Sequence, residues 1–169
     1  GSAPEKGLNA IYEMADIIQR IEKTSDSLLK SKPAKGTLVA SKISSVSESL
    51  NAVPFECEIY LDRRLVPGES QDMIEKEMDS IIKGKNASWE IGVLNRKSWT
   101  GKKIKYHPFH LSWQIDLDHE LTETCFAAFN DAFGSDPKLD YWDFSTNAVA
   151  SVAMGIPTIG FGPGEYKLA

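Results

Sequence analysis

Cysteine and histidine are scarce in this sequence, and each scarcity excludes a class of protein. The two cysteines, Cys57 and Cys125, stand alone in apolar-patterned segments, which excludes a disulfide framework and favours a reducing compartment. The three histidines, His107, His110 and His119, lack the i, i+4 spacing of a helical zinc site. We therefore expect the cysteines to be small buried side chains and the histidines to be surface or helix-cap residues.

Long apolar runs and a positive net charge are also missing. No apolar run approaches the roughly 18 to 20 residues of a membrane span, and the first residues lack the layout of a signal peptide. The formal net charge of -5 argues against a nucleic-acid-binding protein. We expect a cytoplasmic protein with no nucleic-acid and no membrane partner. The basic stretch 96–105 is a local exception, which we interpret as a solvated linker.

Apolar spacing predicts a helix at the start of the chain. The pattern of Ile11, Met14, Ile18 and Ile21 has helical period, and we expect the helix to run from Pro4 to about residue 24, with Ser2 as a possible cap. Strands are predicted over 36–46 and 55–65. In the second strand one face is apolar and expected to be buried, with residues Phe55, Cys57, Ile59 and Leu61.

A second helix and a third strand complete this first block. Ile74, Met78, Ile81 and Ile82 predict a helix that Gly84 ends, and residues 87–95 predict a strand. The order helix, strand, strand, helix, strand is that of a ferredoxin-like β-α-β-β-α-β unit without its first strand. The first block therefore indicates an incomplete α+β domain.

The second block, from about residue 115, has the pattern of an α/β layer. Asp116 or Asp118 can cap a helix with apolar positions Leu121, Cys125, Ala128, Phe129 and Ala132, closed by Gly134. A strand over 138–142, a helix over 145–154 and a strand over 156–161 are predicted to follow. About fifty residues of α/β layer bury little surface, so we expect this block to be incomplete as well.

Asn51 and Arg64 bracket the second strand and are candidates for ligand binding. An arginine fork binds a carboxylate through two parallel hydrogen bonds, and an asparagine amide can donate to a polarised carbonyl oxygen. The alternative for Arg64 is a surface ion pair with Asp62 or Glu69. From the residues alone, both interpretations stay open.

Three segments resemble the M20 metallopeptidases, the relatives of acetylornithine deacetylase, succinyl-diaminopimelate desuccinylase, glutamate carboxypeptidase and aminoacylase. The segments are SAPEKGLNAIYEMADII, SLNAVPFECEIYLDRRLVPGES and STNAVASVAMGIPTIGFGPG. Their order and spacing match across nearly the whole chain. Within the family, the nearest resemblance is to bacterial hydrolases of the YgeY-like, selenium-metabolism type.

The resemblance implies a two-domain enzyme in which a ferredoxin-like lid is inserted into an α/β catalytic domain that binds two zinc ions. Residues 1–110 would be the lid, or dimerisation domain, without its first strand, and residues 111–169 would be the C-terminal segment of the catalytic domain. The lid would make a homodimer. The substrate would be a small N-acyl amino acid or a peptide, cleaved at an amide bond next to a carboxylate.

The resemblance also implies substrate-binding residues. Asn51 matches the lid asparagine that contacts the substrate's carbonyl or carboxylate, and Arg64 matches the arginine that clamps its carboxylate, in the same or the partner's site. Thr146 and Asn147 match a segment near the substrate, although Asn147 stands where many members have aspartate. The remaining candidates belong to the loop whose backbone approaches the substrate, and they are Gly160, Gly162 and Gly164.

The family's zinc ligands and general-base glutamate would lie outside this chain. The lid histidine of the family would come just before Gly1, and a zinc-binding histidine would follow Ala169. We therefore assign no catalytic residue and no metal ligand here, and expect the chain to be inactive alone. A second interpretation is a non-catalytic dimerisation or binding module derived from the same family.

Overall fold

The computed structural model describes residues 4–32 and 34–162, and the fold of this part is α+β. The first half contains two helices and a two-stranded antiparallel sheet, and a small hairpin and two further helices follow. The elements are a 3-10 turn Pro4–Lys6, α1 Ala10–Leu28, β1 Thr37–Val46, β2 Glu56–Arg64, α2 Gln71–Ile82, β3 Leu94–Lys97, β4 Lys103–Tyr106, α3 Glu120–Phe133 and α4 Ala148–Ala153.

Helix α1 begins later than its apolar spacing predicts. Asn9 is the N-cap, and its side chain accepts a 3.0 Å hydrogen bond from the N–H of Ile11. The start predicted at Pro4 is therefore wrong, because Pro4–Lys6 form a separate 3-10 turn. The cap proposed at Ser2 lies outside the described residues. The helix also continues past its predicted end, to Leu28.

Strands β1 and β2 pair antiparallel, as predicted, and the pairing decides which side chains are buried. Leu38 pairs with Arg63, and both lie on the helix-facing side with Ile59 and Leu61. A bulge next to Ala40 shifts the register, so Ile43 pairs with Ile59 on that side, whereas Val39 and Val46 pair with Asp62 and Glu56 on the other side. The prediction that Phe55 is buried in this strand is wrong, because Phe55 precedes the strand and is 61% exposed.

The two cysteines are free thiols, each half-buried. Cys57 lies on the helix-facing side of β2 and packs against the core, and this burial raises the pKa of its thiol. Their predicted role as small buried side chains is therefore met only in part.

The core lies between α1, α2 and the buried face of the sheet. Ser70 caps α2 by accepting a hydrogen bond from the N–H of Met73, and Gly84 follows the helix with a φ of 76°. Seven buried side chains form the central cluster, namely Met14, Ile17, Ile21, Leu38, Ile74, Met78 and Ile81. Both predicted amphipathic helices are confirmed by this packing.

The third predicted strand is wrong over residues 87–93, which form no strand and pair with no other strand in the described part of the chain. A strand needs a neighbour for its backbone N–H and C=O groups, and no described strand lies between this segment and β2. The pairing begins only at Leu94, where β3 meets β4. The basic stretch 96–105 is therefore a β-hairpin closed around Gly101, whose φ is 86°, and its interpretation as a linker is wrong.

The second block contains the predicted helix α3 but not the predicted strands. His119, rather than Asp116 or Asp118, is the N-cap, and its Nδ1 accepts a 3.0 Å hydrogen bond from the N–H of Leu121. Gly134 closes the helix in the left-handed conformation, as expected. Residues 138–142 and 156–161 form no strand, and the helix predicted over 145–154 shortens to α4.

Candidate functional site

A large cleft runs along the edge of β2 that β1 does not pair with. Its volume is about 1490 Å³. Strand β2 lines it together with apolar side chains of α1 and α2, and the rest of the lining includes residues 86–92, 108–115, Leu117, 139–146, Ile159 and Gly160. Large concave sites with a mixture of apolar and polar lining are the usual location of small-molecule binding.

Three of the seven residues that the resemblance implicates in substrate binding line the cleft. Arg64, Thr146 and Gly160 line it, although they are far apart in sequence. Three others do not line it, and these are Asn51, Asn147 and Gly162. Gly164 lies outside the described residues.

Arg64 is exposed on the polar face of β2 and is close to one carboxylate. Its Nη2 donates a 2.9 Å hydrogen bond to Oδ2 of Asp62, and the two side chains are 46% and 43% exposed. An exposed pair of this kind contributes about 0 to 1 kcal/mol. A ligand carboxylate therefore competes with Asp62 at little cost in stability.

The neighbouring Arg63 has a different role, because it lies on the buried face and is only 8% exposed. It donates to both Glu69 and Glu77, with 2.9 Å between Nε and Oε1 of Glu77. Burial opposes its charge, but the hydrogen bonds with Glu77 and Glu69 outweigh burial and raise the pKa of the guanidinium. Glu69, one of the two partners considered for Arg64, is thus bound to Arg63.

Asn51 and Arg64 lie at opposite ends of the β1–β2 pair. Arg64 pairs with Thr37, whereas Asn51 lies in the connection beyond the Val46–Glu56 pair. At about 3.3 Å per residue, the nine residues of β2 span roughly 26 Å. One small substrate does not reach both side chains within a single protomer.

Thr146 and Asn147 stand at the start of α4. The Thr146 hydroxyl accepts a 3.2 Å hydrogen bond from the N–H of Ala148, which fixes its orientation at the cleft wall. Asn147 is in the N-cap position but makes no side-chain cap hydrogen bond, and its side chain is exposed. Thr146 is therefore the better placed of the two for contact with a molecule in the cleft.

Gly160 is covered by an aromatic ring. A Cβ atom added at Gly160 would lie 2.6 Å from the Trp142 ring, closer than real side chains approach, whereas one added at Gly162 would meet nothing within 4 Å. The Trp142 ring stacks on Phe144, with 5.3 Å between centroids. The absence of a side chain at Gly160 thus lets the indole lie across the backbone at the cleft wall.

The sequence reasoning missed a polar cluster on another part of the cleft wall. Arg96, Tyr106 and His110 all line the cleft, and the guanidinium carbon of Arg96 lies 5.0 Å from the centroid of the Tyr106 ring. The Tyr106 hydroxyl is 3.2 Å from Nε2 of His110. The signal in the sequence was Arg96 among the lysines of the basic stretch 96–105, with Tyr106 directly after it.

The described residues do not supply a donor set for zinc. Within residues 4–32 and 34–162, no group of three or more His, Cys, Asp or Glu side chains lies close enough to hold a metal ion. His119 caps α3, which confirms its interpretation as a cap residue, and His107 and His110 are exposed. As for membranes, none of the described helices is long and apolar enough to cross a bilayer.

Comparison with known proteins is consistent with this geometry. The profile of the M20 peptidase dimerisation domain matches residues 1–90. The chain is also 36% identical over 169 residues to the uncharacterized protein YgeY of Escherichia coli, in strain K12 and in strain O157:H7 alike. The alignment covers 98% of this chain and 42% of YgeY, so the chain spans less than half the length of these relatives.

The matched region contains the whole α1, β1, β2 and α2 unit, including Asn51 and Arg64. It ends at residue 90, just before the β3–β4 hairpin, and the similarity to YgeY extends over the rest. On these matches, the chain belongs to the M20 peptidase family and contains its dimerisation domain.

Proposed function

We propose that this chain is part of a zinc-dependent hydrolase that cleaves the amide bond of an N-acyl amino acid or a peptide next to a carboxylate. The observation that carries the proposal is the match of residues 1–90 to the M20 peptidase dimerisation domain. It is supported by the presence of Arg64, Thr146 and Gly160, which come from both halves of the chain, in the lining of one cleft.

The domain assignment is part of the same proposal. Residues 1–110 form the lid, and residues 111–169 contribute the C-terminal segment of the catalytic domain. The lid makes a homodimer in the cytoplasm, and the outer edge of β1, which no strand in the described part of the chain covers, is available for it. Because Asn51 and Arg64 lie at opposite ends of the β1–β2 pair, we assign them to the sites of different protomers.

The side chains of this chain bind and orient the substrate in this proposal. Arg64 holds the substrate carboxylate with its guanidinium fork, in exchange for Asp62. Thr146 and the backbone near Gly160 line the same cleft. Because the described residues offer no metal donor set, the two zinc ions that the family resemblance implies, which supply the activated water, would be held by residues outside them.

The experiment is a kinetic comparison in the intact protein. N-acetyl amino acids and their C-terminal amides are assayed with the wild type, Arg64→Ala and the control Lys42→Ala, an exposed cation on β1. We expect Arg64→Ala to raise KM for the carboxylate substrates about ten-fold, with little effect on the amides. Equal effects on both substrate classes, or kinetics like those of Lys42→Ala, would remove Arg64 from the site.

A second candidate function is favoured by the family description itself. The matched region is a dimerisation domain, so the chain can be a non-catalytic dimerisation or binding module. Light scattering on the intact protein together with the assay above separates the two. A dimer with no hydrolysis of any N-acyl amino acid or dipeptide supports the module, and a dimer with hydrolysis supports the enzyme.

A further inference from the structure

The two faces of the β3–β4 hairpin differ in composition and in what they meet. Leu94 pairs with Tyr106 and Arg96 with Ile104, so these four side chains share one face. The other face carries Asn95, Lys97, Lys103 and Lys105. Leu94, Arg96 and Tyr106 line the cleft, and none of the residues of the other face does. The hairpin therefore presents one arginine to the cleft and its lysines to solvent.

Arg96 differs from the other arginines of this chain. Arg20, Arg63 and Arg64 each pair with a carboxylate, at Asp16, at Glu69 and Glu77, and at Asp62. Arg96 has no carboxylate within 4.0 Å in the described part of the chain. Its guanidinium lies instead against the face of Tyr106. A guanidinium held on an aromatic ring keeps its N–H donors free for another acceptor.

Two more polar groups extend this arrangement along the cleft wall. The Tyr106 hydroxyl and the His110 imidazole are within hydrogen-bond distance, at 3.2 Å, and their ring centroids are 6.0 Å apart. The cross-strand pairing fixes Tyr106 in register with Leu94. Arg96, Tyr106 and His110 thus provide a cation and two polar ring groups at one place.

We propose that Arg96, Tyr106 and His110 form an oxyanion-binding subsite of the cleft, which takes a carboxylate or phosphate group of a bound molecule. The guanidinium fork donates two parallel hydrogen bonds to the oxyanion, and the Tyr106 hydroxyl is the adjacent donor. Arg64, by contrast, already has a carboxylate partner in Asp62. The inference rests on the proposed function only for the idea that the molecule is a substrate, since anion binding itself is independent of hydrolysis.

The test is an NMR titration of the intact protein with sodium succinate and, separately, inorganic phosphate at constant ionic strength. The measured quantities are the amide shifts of Arg96 and Tyr106 and the apparent Kd. Arg96→Gln is compared with Lys97→Gln, which removes one positive charge from the opposite face of the same strand. We expect Arg96→Gln to weaken binding about five-fold or more, and Lys97→Gln less than two-fold.

Tyr106→Phe is the second variant, because it keeps the aromatic ring beneath Arg96 and removes only the hydroxyl. We expect it to weaken binding about two-fold to three-fold. If Arg96→Gln disrupts the β3–β4 cross-strand contacts, the Kd of Tyr106→Phe decides whether this cluster binds the anion. Saturation by succinate alone assigns the site to carboxylates, and saturation by phosphate alone assigns it to phosphates. No saturable shift with either anion, or equal weakening by Arg96→Gln and Lys97→Gln, would overturn the proposal. Because no turnover is measured, failure of the proposed hydrolysis would leave this result standing.

Discussion

The indole of Trp142 lies directly against the backbone of Gly160, so close that a Cβ atom at that position would be 2.6 Å from the ring. The contact joins the segment before α4 to the segment after it, and both line the cleft. Gly160 is therefore required by packing, whatever its relation to a ligand.

Substituting Gly160 by alanine tests this contact. We expect Gly160→Ala to displace the Trp142 ring from its stacking on Phe144, at a cost of about 1 kcal/mol in the free energy of unfolding. Urea unfolding and the indole N–H resonance of Trp142 measure the two effects. Gly162→Ala is the control, because its Cβ would meet nothing within 4 Å, and equal behaviour of the two variants would refute the packing role.

Arg63 and Arg64 are neighbours in sequence with opposite structural roles. We expect Arg63→Met to lower the free energy of unfolding by about 3 kcal/mol, because it leaves Glu69 and Glu77 without their buried cation. Arg64→Met should cost at most about 1 kcal/mol, because its pair with Asp62 is exposed. Urea unfolding at neutral pH measures both, and the account fails if Arg64→Met is the more destabilised variant.

The ion pair between Asp16 and Lys85 predicts how stability depends on pH. The hydrogen bond from Lys85, 2.6 Å from Asp16, lowers the pKa of that carboxyl below its ordinary value of 3.8. A lowered folded-state pKa contributes stability that is present above about pH 3.8 and is lost as the pH falls further. Asp16→Asn should therefore lose less stability than the wild type on acidification below that pH.

At high pH the same ion pair makes the free energy of unfolding fall as the pH rises. The hydrogen bond with Asp16 raises the pKa of Lys85 above its ordinary 10.5, so this stability is present below about pH 10.5 and is lost at higher pH. Urea midpoints across the pH range measure both effects. Asp26→Asn, at an exposed carboxylate on the same helix, is the control. If Asp16→Asn and Asp26→Asn gave identical pH profiles, the pair would make no such contribution.

The cap of α3 is testable in the same way. His119→Ala removes the acceptor for the N–H of Leu121 and should cost about 1 kcal/mol, whereas His119→Asn, a favoured N-cap residue, should cost far less. Urea unfolding measures both variants. If His119→Ala proved as stable as the wild type, the hydrogen bond seen at the cap would contribute nothing to stability.

Helical period and strand alternation predicted the two helices and the two paired strands of the first block, but not its third strand. The predicted positions Met14 and Ile21 of α1 are buried, and so are the predicted positions Ile74, Met78 and Ile81 of α2. The alternation in β2 placed Arg64 on the exposed side. The predicted helix start was wrong because Asn9, one of several possible caps, satisfies the first N–H groups. Such local competition between caps is decided by geometry that a single sequence does not display.

The strands of the second block could not be predicted reliably, because apolar runs alone do not form strands. Residues 156–161 are apolar enough for a strand, but no described strand lies beside them to complete their backbone hydrogen bonds. The subsite of Arg96 was missed for a related reason. Tyr106, which contacts His110, comes next to Arg96 only once the basic stretch folds back as a hairpin.

We proposed above that this chain is part of a zinc hydrolase whose metal donors lie outside the described residues. The direct measurement is the hydrolysis of N-acetyl amino acids and dipeptides by the intact protein and by the 169-residue chain, each with zinc and with a chelator. The account predicts turnover by the intact protein that chelation removes and zinc restores, and none by the chain alone. Zinc-dependent turnover by the chain, or an intact protein inactive on every such substrate, would contradict it.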